Sequence, residues 1–148
     1  MIENNMKNVK GFRGVFTSDL LPKRIKKFEN GIINLDISTG PGTHWVCYYN
    51  DPTHNFIEYF DPFGEYNYKN IELKKEHIPD NIKTFLGTSN KKYIAYNTSF
   101  LQKPTSVKCG LFCMKYITER NKGRSIISTL YSFTQDPSDY NENLILNK

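Results

Sequence analysis

The chain has 148 residues, 38% hydrophobic and 24% charged, with 10 Tyr and 10 Phe. That profile excludes a disordered chain and fits a single globular domain with a self-supporting core. No apolar run approaches the roughly 20 residues that cross a bilayer, and the opening MIENNMKNVKGF lacks the apolar stretch of a signal peptide, so no membrane association is expected. Lys and Arg number 20 against 15 Asp and Glu, a net charge of +5 that permits weak, salt-sensitive attraction to DNA or another polyanion without demanding it. The 3 cysteines form no regular framework and suit a reducing compartment, where thiols are kept for catalysis or for a metal.

In chain order, a polar start is followed by Leu21, Ile25 and Phe28 at helical spacing, with Pro22 near the beginning and Gly31 past the end, which predicts a short amphipathic helix. Ile33, Leu35 and Ile37 then alternate with Asn34, Asp36 and Ser38, the period of a half-buried strand closed by Gly40-Pro41-Gly42. The runs His44–Tyr49 and Phe56–Phe60 flank Asn50-Asp51-Pro52 and predict a hairpin. Ile78, Ile82, Phe85 and Leu86 predict a helix stopped by Gly87, and Tyr93 to Tyr96 a short strand. Cys109, Phe112, Cys113, Tyr116 and Ile117 mark a helical stripe ending at Gly123, and a last helix is expected from Ser125 to about Phe133, with 136–148 as a C-terminal arm. The order predicts an α+β fold with a mixed or antiparallel sheet flanked by helices.

In that hairpin His44 is expected opposite Asp61, on one face of the sheet and within reach of a hydrogen bond that would orient the ring as a base. The plain alternative is a strand-end histidine beside an aspartate that forms a turn before Pro62. Cys109 follows the loop Lys103-Pro104-Thr105-Ser106 and opens a helix, where unpaired amides and the dipole favour the thiolate. Gly110 leaves the backbone beside that sulfur without a side chain, which predicts space for a substrate. Gln102, seven residues earlier, is placed to aim an amide at the same spot as an oxyanion donor, or is simply polar surface. Cys113 reads as a buried helix residue, and His54 and His77 as surface histidines. A Cys3His zinc site from His44, Cys47, Cys109 and Cys113 is disfavoured, because strand residues three apart point to opposite faces.

Taken together, Gly42-Thr43-His44-Trp45-Val46, Tyr59-Phe60-Asp61-Pro62-Phe63-Gly64 and Gln102-x6-Cys109-Gly110-Leu111-Phe112-Cys113 resemble the adenain family, the maturation proteases of adenoviruses. The resemblance extends over about residues 11–120. The segment Gly14–Pro22 is similar to the adenain-like proteases of virophages and polinton-type elements, in the clan that includes the SUMO-specific proteases. It implies that Cys109 is the nucleophile, His44 the general base and acid, Asp61 the group orienting His44, Gln102 an oxyanion donor, and Trp45 a cover over the site. It implies cleavage of capsid precursor proteins near small residues or glycine, in the virion and in the infected-cell cytoplasm or viral factory.

Adenain carries glutamate where this chain has Asp61, the residue SUMO proteases use, and Lys108 before the nucleophile is a departure from both. The region Lys91 to Asn97 has no cysteine for the disulfide through which adenain takes its activating peptide, whereas activation by DNA stays open on charge. No cofactor or metal is expected, and a monomer is. Two alternatives remain on the same fold: an isopeptidase acting on a ubiquitin-like modifier, which the Gln102-x6-Cys109 spacing disfavours, and an inactive nucleic-acid-binding module.

Overall fold

The run Trp45-Val46-Cys47-Tyr48-Tyr49 is apolar at every position, the pattern of a strand covered on both faces. The computed structural model, in which the described residues are 2–40, 44–64, 78–98, 101 and 108–133, places it at the centre of a sheet. Its strands β1 (Phe12–Thr17), β2 (Glu29–Asn34), β3 (Trp45–Asn50), β4 (Phe56–Phe60) and β5 (Tyr93–Tyr96) lie in the order β1-β2-β3-β4-β5. The outer pairs are parallel and the two inner pairs antiparallel, so the sheet is mixed. Among the described residues the helices are α1 (Ile2–Met6), α2 (Asp80–Gly87), α3 (Cys109–Asn121) and α4 (Ile126–Tyr131), none long and apolar enough to cross a membrane.

The side-chain period of two divides the core. Cys47, Tyr49, Ile32 and Phe60 pack with Phe112, Cys113, Tyr116 and Ile117 of α3. Val46, Tyr48, Ile33, Ile57 and Tyr59 pack with Ile82, Phe85 and Leu86 of α2. On the α3 face Glu58 receives hydrogen bonds from Arg120 at 2.8 and 2.6 Å and from Tyr116 Oη at 2.7 Å, which ties β4 to the C-terminal half of the helix. The predicted α2, β5, α3 and α4 are all present, with Gly123 past the end of α3 at φ +95° and Ser125 capping Ser128 N–H at the start of α4.

The N-terminal third departs from expectation. Residues 21–28 form no helix, and the strand predicted to start at Ile33 begins instead at Glu29 and ends at Asn34, with every residue buried. Gly31 is therefore not a helix stop. It lies under the Tyr48 ring, where a Cβ would come within 2.7 Å of the ring and its hydroxyl. Asn34 Oδ1 accepts from Asp36 N–H at 2.9 Å and turns the chain out of the sheet, so Leu35 and Ile37 never continue the strand. The short α1 and the edge strand β1 had no expected counterpart. Gly11 at φ +80° and Gly14 break up any apolar period there, and the β1–β2 register shifts between Phe12 and Val15.

Candidate active site

The β3–β4 ladder pairs Cys47 with Phe60, Tyr48 with Tyr59 and Tyr49 with Glu58, two residues from the expected register, so His44 does not stand directly opposite Asp61. A shift of two preserves the face, and both residues lie just outside the strands, where the chain is no longer confined to the ladder. His44 O accepts from Leu35 N–H at 2.9 Å, which anchors the residue before β3 begins. Its Nε2 lies 2.8 Å from Asp61 Oδ1, with both side chains fully buried. The same carboxylate oxygen accepts from Phe63 N–H at 2.9 Å, and the Phe63 ring lies 4.8 Å from the imidazole between centroids. A carboxylate held by a backbone amide has one position to offer the ring, and the ring has one orientation to accept.

Cys109 is the first residue of α3 and reaches this pair from the helix side of the sheet end. Lys108, the residue before it, makes no side-chain capping hydrogen bond to the helix N-terminus. The Trp45 backbone N–H donates to Cys109 Sγ at 3.3 Å, which holds the sulfur against the start of β3. Burial works against a charged imidazole at His44, but the charge and hydrogen bond of Asp61 and the hydrogen bond and charge of Cys109 outweigh it. They lift the His44 pKa from 6.5 to about 9. His44 is then an imidazolium at neutral pH, between a carboxylate and a sulfur. The arrangement can deliver a proton and hold a thiolate at a sulfur that is only 3% exposed.

A family model described as adenovirus endoprotease, Peptidase_C5, matches residues 12–137. The chain belongs to the adenovirus endoprotease family. Among solved structures it is similar to two crystal structures of the ASFV pS273R protease. One, with selenomethionine, is 20% identical with a TM-score of 0.55, over 80% of this chain and 42% of that one. The other is 18% identical with a TM-score of 0.56, over 83% and 43%. The chain thus spans less than half the length of those proteases, and at such identity the likeness is one of fold. No curated protein matches the sequence significantly.

For this family member, several expected residues find other roles. The position of a Cβ on Gly110 faces Ile2 of α1 at 3.1 Å and Trp45 at 3.6 Å, so the missing side chain makes room for α1 and the indole rather than for a substrate. Cys113 is fully buried one turn below Cys109; burial pushes its thiol well up, and it donates to Trp45 O at 3.5 Å. Cys47 points towards the Cys113 carbonyl and away from His44. Among the described residues no three His, Cys, Asp or Glu form a set able to hold a metal ion. His54 stacks on Phe56 at the hairpin turn. Gln102, His77, Gly42, Thr43 and the arm at 136–148 lie outside the described residues.

Asn97, just beyond β5, escaped the sequence reading. Its Oδ1 accepts from Asp61 N–H at 3.0 Å and its Nδ2 donates to Asp61 O at 2.7 Å, a two-point clamp on the backbone of the residue that orients His44. An asparagine 36 residues away leaves no spacing signal. The cue available was its type: a polar residue closing the short apolar strand Tyr93–Tyr96.

Proposed function

We propose that the chain is a cysteine endopeptidase in which Cys109 is the nucleophile, His44 the general base and acid, and Asp61 the group that fixes His44. The observation that carries this reading is the run Asp61 Oδ1 to His44 Nε2 at 2.8 Å, with the same imidazole interacting with Cys109 at a helix N-terminus. The thiolate's electron pair forms a C–S bond to the peptide carbonyl carbon, and the C=O π pair passes to the oxygen as the tetrahedral intermediate forms. The Cys109 N–H faces the oxyanion, and the family resemblance adds the Gln102 amide as a second donor. Collapse expels the amine, which takes the proton from the His44 imidazolium and leaves a thioester. Neutral His44 then removes a proton from water, the hydroxide attacks the acyl carbon, and the second collapse returns the thiolate–imidazolium pair.

As substrates we propose capsid precursor proteins cut beside small residues or glycine during particle maturation, in the virion and in the infected-cell cytoplasm or viral factory. The chain acts as a monomer, with weak, salt-sensitive association with DNA. Family membership supports the reaction class, and the net charge of +5 supports the DNA contact.

The test is alkylation by iodoacetamide across pH 5 to 9, with each modified cysteine located by mass spectrometry. Cys109 should react alone and well below pH 8.5, the range of an ordinary thiol, and lose that low-pH reactivity in His44→Ala. Equal, slow reaction of all three cysteines would overturn the assignment. Glycine-containing peptides and a fluorogenic ubiquitin-like conjugate, offered side by side, separate the endopeptidase from the isopeptidase.

A further inference from the structure

The run Lys23-Arg24-Ile25-Lys26-Lys27 carries four cations in five residues, and the structure holds it along one non-helical path. Arg13 Nη1 donates to Arg24 O at 2.5 Å, and Ile25 N–H donates to Thr88 Oγ1 at 3.0 Å. Lys26 N–H donates to Glu29 Oε1 at 2.9 Å, while Asn50 Nδ2 donates to Lys26 O at 2.9 Å and to Lys27 O at 3.4 Å. Ile25 is buried, so the strip is anchored from inside and its four cations face out. Glu29, the acid nearest in sequence, is buried and engaged by Arg13 and Tyr48. Among the described residues no carboxylate pairs with Lys23, Arg24, Lys26 or Lys27. A segment fixed by five hydrogen bonds, whose cations meet no carboxylate among the described residues, is a preorganised cationic surface.

Arg24, Lys26 and Lys27 line an open groove of about 840 Å³ together with Pro52 of the hairpin turn and Asn90 and Lys91 after α2. Lys91 Nζ, held by the Asp51 and His54 carbonyls at 2.6 and 2.5 Å, adds fixed positive charge. Duplex nucleic acid is read by a helix or β-ribbon laid in its major groove, and the described lining, residues 24–27, 50, 52 and 88–91, includes no helix. Single strands are held on aromatic platforms, and among the described residues no aromatic side chain lines this groove. An extended polypeptide bearing carboxylates fits what is present. The groove lies at the turn end of the β3–β4 hairpin, whose other end carries His44 and Asp61. Six residues of β3 separate the two, about 20 Å at the rise of a strand.

We propose that this groove is a docking exosite for an acidic, extended segment of the substrate polypeptide, about 20 Å from its scissile bond. The proposal rests on the peptidase reading for its identification of the ligand as substrate. Its binding test does not need activity.

In the Cys109→Ala background, a fluorescein-labelled peptide of alternating Glu and Gly is titrated and followed by anisotropy. The peptide should bind, weaken with salt, and lose about tenfold in affinity when Lys26→Glu and Lys27→Glu are combined. Arg24→Glu, which alters an exposed side chain of the same groove, should act in the same direction and guards against a misfolded double variant. With active enzyme, the charge reversals should raise KM for a substrate carrying the acidic extension, leaving its kcat and the cleavage of the unextended substrate unchanged. Groove-dependent binding without any peptidase activity would uphold the anionic-peptide site and sink the peptidase reading. Unchanged peptide affinity in both groove variants, equal binding of a Ser-Gly peptide, or displacement by an oligonucleotide at lower concentration would overturn the exosite.

Discussion

Two buried carboxylates lie three residues apart, one in the middle of β4 and one just beyond it, and meet opposite fates. Glu58, 1% exposed on the α3 face, is held by two hydrogen bonds from Arg120 and one from Tyr116. Asp61, fully buried just beyond the strand, is held by His44 and the Phe63 amide. The partner of Glu58 keeps its charge at every pH a protein survives, and that ion pair has no second state. The partner of Asp61 loses its proton within the working range, so the pair can exist in two states and exchange a proton with Cys109. Burial and charge alone do not distinguish a strut from a reacting group; the titratability of the partner does.

Conservative amide substitutions test this contrast most directly. Asp61→Asn keeps the size of the side chain but offers His44 the wrong hydrogen-bonding partner. It should lower kcat/KM by about 10⁴-fold while the fold persists, measured by peptide cleavage beside circular dichroism. Glu58→Gln removes the 2.6 Å counter-charge of the buried Arg120, leaving Asp51 Oδ2 at 3.7 Å, and should cost about 3 kcal/mol of stability in urea unfolding, with normal activity per folded molecule. If the Glu58 variant lost activity while fully folded, the division between strut and reacting group would be wrong.

The pH dependence sharpens the same comparison at a smaller scale. The folded-state pKa of His44 is raised from 6.5 to about 9, so its contribution to stability is complete below pH 6.5 and is lost as pH rises through 9. The size is on the order of 3 kcal/mol, and the loss should be absent in His44→Gln. Activity should fall over the same alkaline range, because in the proposed mechanism the His44 imidazolium protonates the leaving amine. A flat stability profile in the wild type between pH 6.5 and 9.5 would mean that His44 does not face a charged Asp61.

Much of this was legible in the sequence where short-range rules operate. Cys109 opening a helix, Tyr93 to Tyr96 as a strand and the shared face of His44 and Asp61 follow from period and parity, and parity tolerated a register error of two. The segment Leu21–Phe28 was misread because its spacing is helical while its backbone partners are distant: Arg13, Thr88 and Asn50 capture the groups a helix would pair internally. Gly110 was read as open space because the sequence does not say that α1 folds back to place Ile2 there. The register of the hairpin depends on a turn whose geometry Asn50-Asp51-Pro52 does not specify by itself.

The smallest expected effect concerns Asn97, which touches neither sulfur nor imidazole. Its amide takes both backbone groups of Asp61, so Asn97→Ala frees the residue that aims His44 and also strands buried N–H and C=O groups. Stability should fall by about 1–2 kcal/mol. If the clamp also positions Asp61, kcat should fall about tenfold with KM unchanged, and the alkaline limb should move to lower pH, because a less well-aimed carboxylate supports the imidazolium less. Asn97→Asp, which keeps the acceptor for Asp61 N–H and loses the donor, should fall between wild type and alanine in both respects. A purely structural asparagine would lower stability in the same order and leave the pH profile where it was, and that outcome would confine the machinery to Cys109, His44 and Asp61.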